Sequence, residues 1–145
     1  PGVSNYLTGV NVGEDVKGIA SFMQEVDMPN LYVIPAGNIP PNPSELLISP
    51  KMKKMLTELK EIVDVIIVDG TPCDLVTDST IISRIVDQTI IVCACNATKM
   101  EDLNETKKKI ETAGGKVTGI VLNKIPTNAK KYEDRYYYGS TPRKK

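Results

Sequence analysis

Apolar side chains recur along this chain with two periods, and the change from one to the other lays out its elements. After Ser49 they fall at Met52, Met55, Leu56, Leu59 and Ile62, the three-and-four spacing of one helical face. Ser49 is placed to cap that helix and Pro50 to open it. The next run, Val63-Asp64-Val65-Ile66-Ile67-Val68, is β-branched and apolar on both faces, which predicts a fully buried, parallel strand. It closes on Asp69-Gly70-Thr71-Pro72. Thr77 or Asp78 then caps a helix bearing Ile81, Ile82, Ile85 and Val86, and Thr89 to Cys95 reads as a strand. Thr98 and Glu101 have the spacing of a capping box for a helix with Met100, Leu103 and Ile110, which stops at Gly114-Gly115. Val117 to Leu122 is a last strand, leading into Asn123-Lys124. Strand, helix, strand, helix, strand predicts consecutive crossovers: an α/β fold, a parallel sheet with helices on both faces.

The first fifty residues are more broken. Ser4 is placed to cap a turn over Asn5-Tyr6-Leu7 that Gly9 ends, and Val16, Ile19, Ala20 and Met23 share a helical face. Leu31 to Pro35 reads as a short strand. In Asn38-Ile39-Pro40-Pro41-Asn42-Pro43-Ser44-Glu45-Leu46-Leu47 the prolines stiffen a connection. Asn42 can cap a helix there, with Pro43 at its first position and Glu45 completing a capping box.

Length and composition narrow the chemistry. At 145 residues with 41% apolar side chains, the chain is long enough for one domain with a core. No run approaches the ~18 apolar residues of a membrane span, and no signal peptide is visible. There is no histidine, which excludes Ser-His-Asp and Cys-His mechanisms and any histidine-liganded metal. Cys73, Cys93 and Cys95 form no disulfide or zinc pattern, and the alternation of Cys93 and Cys95 on an apolar strand fits core packing in a reducing cytoplasm. The chain opens on Pro1 rather than methionine, which suggests a fragment or a processed product.

The net charge of zero is unevenly spread. Residues 126–145 carry six Lys/Arg against two acids, which leaves the remainder at minus four, without the footprint of a nucleic-acid binder. That same stretch is nearly free of aliphatic side chains but holds Tyr132, Tyr136, Tyr137 and Tyr138. Residues 1–125 therefore read as the folded domain and 126–145 as a flexible tail. Its phenols are either phosphate acceptors, each gaining about −1.5 to −2 charges on modification, or part of an unmodified adhesive tail. Its basic residues suit a membrane surface or a phosphate-bearing partner.

Asp69 is the candidate for chemistry. Ligands of open α/β sheets bind beyond the carboxyl ends of the strands, and a carboxylate there can hold Mg²⁺ on a phosphate, or merely start a turn. Asn123 ends the last strand on the same edge, where its amide can read a base edge or simply hold a turn.

Leu7-Thr8-Gly9, the Asn38 to Leu47 segment, Val65 to Pro72 with Val76-Thr77-Asp78, Asn123-Lys124-Ile125-Pro126 and the terminal tyrosines come in the order found in the bacterial tyrosine kinases. The chain resembles that family over nearly its whole length. These are cytoplasmic partners of chain-length regulators in capsular and exopolysaccharide synthesis, similar in fold to MinD/ParA-type P-loop ATPases. The resemblance implies that Asp69 is the Walker B aspartate, holding Mg²⁺ on ATP and serving as one candidate to take the tyrosine proton. It implies that Asn123 contacts adenine. Tyr132, Tyr136, Tyr137 and Tyr138 would be autophosphorylation sites, fed into the neighbouring subunit of a homo-oligomeric ring. It further implies a membrane-embedded activator that brings the protein to the inner face of the membrane, and a tyrosine phosphatase that completes the cycle.

The chain departs from the family in one respect that matters. No G-x-x-x-x-G-K-[ST] occurs in it, so the backbone cradle and lysine for the β- and γ-phosphates are missing. The family's second acidic Walker motif, expected just before Pro1, is missing too. The expectation is the C-terminal part of a P-loop kinase domain, incomplete at its N-terminus, with apolar sheet edges uncovered. Two functions follow: an ATP-dependent protein-tyrosine autokinase, or a non-catalytic phosphoacceptor and regulatory module modified by a complete kinase. A MinD/ParA-like partitioning ATPase is a third, disfavoured by the tyrosine cluster.

Overall fold

Helix α3 (Pro50–Lys60) is the scaffold against which the first half of the chain packs. Pro50 fits its first turn, where no amide is needed, and the Ser49 hydroxyl accepts from the Met52 amide at 3.3 Å. Met52, Met55, Leu56 and Leu59 are buried, as their spacing predicts, while Ile62 lies beyond the helix end and is half exposed. The computed structural model describes residues 1–10, 18–73 and 75–126, so Val16, Asp74 and the four tail tyrosines lie outside the described residues.

Helix α1 (Val3–Thr8) and a single 3-10 turn (Ile19–Phe22) close this core with Leu7, Ile19 and Phe22. Each such side chain contributes about 1.5–3 kcal/mol when fully buried. Tyr6 meets Phe22 edge to face at 5.8 Å. Glu58 on α3 ties the three pieces together: it accepts from the Tyr6 hydroxyl at 3.1 Å and from the Ile19 amide at 3.3 Å. Ser4 does not cap α1. The helix starts two residues earlier, at Val3, and the Asn5 side chain reaches back to accept from the Gly2 amide at 2.9 Å. The Val3 and Ser4 amides donate instead to the carbonyls of Pro35 and Ala36. Gly37, at φ +85°, fits against Ser4 and Asn5 because it has no side chain.

The proline segment enters helix α2 (Pro43–Ile48) with Asn42 as its cap residue, but the predicted capping box does not form. Asn42 donates its side-chain amide to Glu45 at 2.5 Å, so the two side chains satisfy each other rather than the backbone. Gln24–Glu25 (β1) and Tyr32–Val33 (β2) make a short antiparallel pair, of which only the second strand is evident from the sequence.

In the second half, α4 (Asp78–Ile82) is shorter than predicted. Neither Thr77 nor Asp78 caps it through its side chain; Thr77 stands at the cap position. Strands β3 (Thr89–Ala94) and β4 (Val117–Asn123) form the parallel pair, joined through α5 (Met100–Thr112). Lys99, not Thr98, stands at the cap of α5; the Thr98 hydroxyl accepts from the Ala94 amide. The end of α5 is as expected: Gly114 is left-handed at φ +91°, and the Gly115 amide donates to the Ile110 carbonyl at 2.9 Å. Cys93 is buried, as its place on the apolar strand predicts.

The run 63–69 is where the structure departs most from expectation. It is neither buried nor part of a sheet among the described residues. Val65 and Ile67 are 73% and 90% exposed, and only Ile66 reaches the core. No backbone hydrogen bond joins residues 64–70 to another described residue. The cause is physical: an apolar run becomes a buried strand only with a ladder partner at its edge and a layer on each face. Ile90 and Val92 on β3 and Ile120 to Leu122 on β4 are exposed for the same reason.

Two stability measurements check this account. Gly37→Ala places a methyl 2.5 Å from both Asn5 Oδ1 and Ser4 Oγ at a left-handed φ. It should cost about 2–4 kcal/mol in urea denaturation. Burial raises the Tyr6 phenol above its ordinary pKa, and the Glu58 hydrogen bond and charge push the same way. Tyr6→Phe should cost about 0.5–1.5 kcal/mol at pH 7. Because the folded pKa is the higher one, the wild-type advantage is complete below about pH 10 and shrinks as pH rises through the folded value. Urea curves of both proteins at pH 7 and 10.5 test the sign.

Candidate functional site

Asp69 ends the apolar run with its side chain exposed and with no hydrogen bond or ion pair to any described residue. The loop that follows is held from α4. Ser79, on the first turn of that helix, donates its hydroxyl to the Thr71 carbonyl at 2.6 Å, and the Thr71 and Ser79 hydroxyls lie 3.3 Å apart. A side chain on Gly70 would meet Ser79 Oγ at 2.5 Å, so the loop passes close against the helix only because residue 70 is glycine. The Pro72 carbonyl accepts from the Leu75 and Val76 amides at 3.2 and 3.3 Å, closing a turn. Helix α4 is tied in turn to α2, where the Ser44 hydroxyl donates to Asp78 Oδ1 at 2.8 Å.

Asn123 stands at the end of β4, opposite Ala94 in the register, and its carbonyl accepts from the Cys95 amide at 2.8 Å. Its side-chain oxygen accepts from the Lys124 amide at 2.7 Å, across a residue held at φ +57°. The side chain therefore holds a turn through its oxygen. Its amide nitrogen has no partner among the described residues. No hydrogen bond connects Asp69 with Asn123, and Tyr132, Tyr136, Tyr137 and Tyr138 lie outside the described residues.

No cluster of three or more acidic or cysteine side chains among the described residues is arranged to hold a metal by itself. A single exposed carboxylate is nevertheless the donor set of a Mg²⁺ that arrives with a phosphate ligand. Such an ion keeps several waters and takes one or two carboxylates, the remaining oxygens coming from the phosphates. Asp69 fits that role; it does not fit a metal held by protein alone. Ser79 and Ser44 were not evident from the sequence, because nothing local shows that a serine on one helix faces a glycine nine residues back, or that a second helix meets the first.

No family model matches the chain. Individual relatives do. It is 34% identical over 145 residues to the tyrosine-protein kinase CpsD of Streptococcus agalactiae, which covers 99% of this chain and 60% of that protein. It is 35% identical over 132 residues to the tyrosine-protein kinase ptk of Acinetobacter johnsonii, covering 91% of this chain and 17% of that one. The kinase domain of the Escherichia coli tyrosine kinase ETK superposes with a TM-score of 0.79 at 28% identity, over 88% of this chain and 48% of that one. The chain thus spans less than two-thirds of the length of each. Its α/β fold, with a parallel strand pair and flanking helices, is the P-loop NTPase fold of that ETK kinase domain. Likeness of sequence and of fold to the bacterial tyrosine kinases thus runs through nearly all of this chain's residues.

Proposed function

We propose that these residues are the C-terminal part of an ATP-dependent protein-tyrosine autokinase that regulates capsular or exopolysaccharide synthesis and export. The observation that carries this reading is Asp69: an exposed carboxylate without a partner among the described residues, at the end of an apolar run, on a loop pinned to the next helix. The tyrosine-protein kinases related to this chain supply the reaction class.

Phosphoryl transfer asks mainly for positioning and charge neutralisation. Mg²⁺ would supply that neutralisation on the nucleotide's phosphate oxygens, and Asp69 is the residue that would hold it. The tyrosine hydroxyl attacks the γ-phosphorus, the bond to the β,γ-bridging oxygen breaks, and the phenolic proton must leave. With an intrinsic pKa of about 10, that proton needs an acceptor, and Asp69 is one candidate to take it, metal binding being its first role. The amide nitrogen of Asn123, without a partner among the described residues, is a donor suited to a ring nitrogen of adenine, while its oxygen keeps the turn. Tyr132, Tyr136, Tyr137 and Tyr138 are the proposed acceptors, delivered to a neighbouring subunit in a ring. The remaining parts of this reading are a membrane-embedded activator at the cytoplasmic face and a phosphatase that resets the tail. No helix among the described residues is long and apolar enough to cross a membrane.

The phosphate cradle is not encoded in these 145 residues. For that reason a second reading stands beside the first, in which the tyrosine-bearing chain is a phosphoacceptor module for a complete kinase. Asp69→Asn in the complete protein that carries these residues separates them. The autokinase reading expects tail phosphotyrosine, measured with the purified protein and Mg-ATP, to fall at least about 100-fold. Undiminished phosphorylation would remove Asp69 from the mechanism. A second measurement concerns these residues alone, which should bind Mg-ATP no tighter than about 1 mM in isothermal titration, since the backbone amides and lysine of a P-loop are missing. Binding tighter than that overturns the assignment of the phosphate cradle to residues outside this chain.

A further inference from the structure

We infer that Ser79 is a positioning residue for Asp69: the hydroxyl it donates to the Thr71 carbonyl sets how the loop presents the carboxylate to a divalent cation. The inference rests on the reading of Asp69 as the metal-holding residue and adds to it the group that orients it.

Three observations carry it. The first is that Asp69 has no backbone support, since residues 64–70 make no backbone hydrogen bond to the described residues. Downstream, the turn at Pro72 is closed by Leu75 and Val76 and ties the loop only to itself. Among the described residues it is Ser79 that joins this loop to a helix, through the 2.6 Å bond to the Thr71 carbonyl and a hydroxyl 3.3 Å from that of Thr71.

The second is the direction of the hydroxyl. A serine in a helix commonly returns its hydroxyl to a carbonyl one turn back, as Ser83 does to Thr80 at 2.7 Å. Ser79 instead reaches to a carbonyl eight residues away. In the first turn of α4, Ser79 has no earlier carbonyl of its own helix to return to, so its hydroxyl is available to the loop.

The third is Gly70. Its missing side chain leaves the space that Ser79 Oγ occupies, 2.5 Å from where a Cβ would stand, while Ser79 Cβ lies 3.4 Å from the same point. Glycine at 70 and serine at 79 therefore form a matched pair, and residue 70 adjoins Asp69. Helix α4 is itself fixed to α2 by the Ser44–Asp78 bond at 2.8 Å, so the hydroxyl is presented from an anchored element.

The experiment uses the complete protein that carries these residues, with Mn²⁺ as the probe ion and a non-hydrolysable ATP analogue. Mn²⁺ binding is followed by electron paramagnetic resonance, and amide exchange at residues 70–72 by mass spectrometry. Ser79→Ala should weaken Mn²⁺ binding about 3- to 10-fold, the worth of one ordinary hydrogen bond, and speed exchange in the loop. Ser79→Thr, which keeps the hydroxyl, should restore binding to within about 2-fold of wild type. Gly70→Ala should act like Ser79→Ala in the wild-type background but cost less when Ser79 is already alanine, because only the oxygen is in the way. A purely structural serine predicts a lowered melting temperature with metal binding unchanged. Ser79→Ala binding Mn²⁺ as wild type does, in an assay where Asp69→Asn abolishes binding, overturns the role given to Ser79 and leaves Asp69 standing. Asp69→Asn with undiminished Mn²⁺ binding overturns both.

Discussion

An apolar segment that carries the proposed metal-holding acid has to be held still, and here, among the described residues, the segment is held without a ladder. Residues 63–69 are fastened upstream by the Val63 amide on the Leu59 carbonyl and by Ile66, which packs against the core around α3, and downstream by the Ser79 hydroxyl on the Thr71 carbonyl. Between those points the backbone groups of 64–70 make no backbone hydrogen bonds to the described residues. Ordering each residue costs about 1–2 kcal/mol of conformational entropy, which a strand alongside offsets residue by residue and two end anchors do not. The place of Asp69 is thus set by long-range contacts on either side of it, not by its own strand.

The same distinction separates what the sequence disclosed from what it did not. Helix α3 was legible because its signals are local: a serine cap, a proline at the first position and an apolar stripe that α1 and the 3-10 turn then bury. The close of α5 at Gly114-Gly115 and the extents of β3 and β4 were legible for similar reasons, the glycines by backbone freedom and the strands by β-branched runs. The run at 63–68 has an equally strong local pattern, yet pattern cannot provide the neighbour that makes a strand. The capping boxes predicted at Asn42/Glu45 and Thr98/Glu101 failed for a subtler reason. Side chains of the right type and spacing have other partners within reach, each other in the first case and the Ala94 amide for Thr98. Asp69 and Asn123 were legible as candidates because they end apolar runs. Ser79 was not, since its importance lies in facing Gly70 across the loop.

Asn123 illustrates how one residue can satisfy two accounts at once. Its oxygen is engaged by the Lys124 amide, which is what a turn asparagine does, and the left-handed backbone at Lys124 fits the same turn. That engagement fixes the side chain's orientation and leaves the amide nitrogen as a donor of known direction. A pre-oriented donor loses less freedom on meeting a base than a rotating one. In the proposed reading, the turn role would prepare the contact with adenine rather than compete with it.

The exposed faces of the parallel pair bear on the proposed chemistry as directly as Asp69 does. Ile90 and Val92 on β3 are 58% and 64% exposed, and Ile120, Val121 and Leu122 on β4 are about half exposed. Strands of this composition in α/β proteins are covered on both faces and paired on both edges. In the autokinase reading, the element that would pair with them is the one that brings the phosphate cradle, because in α/β sheets phosphate-binding turns follow directly from strands. Closing the sheet and binding the nucleotide are then one linked equilibrium: whatever favours the closed sheet strengthens nucleotide binding, and nucleotide favours the closed sheet by the same free energy. Under that linkage the affinity of Asp69 for a metal–nucleotide complex is a property of the finished sheet and of the Ser79 bond that aims the loop. The intrinsic basicity of the carboxylate would matter far less.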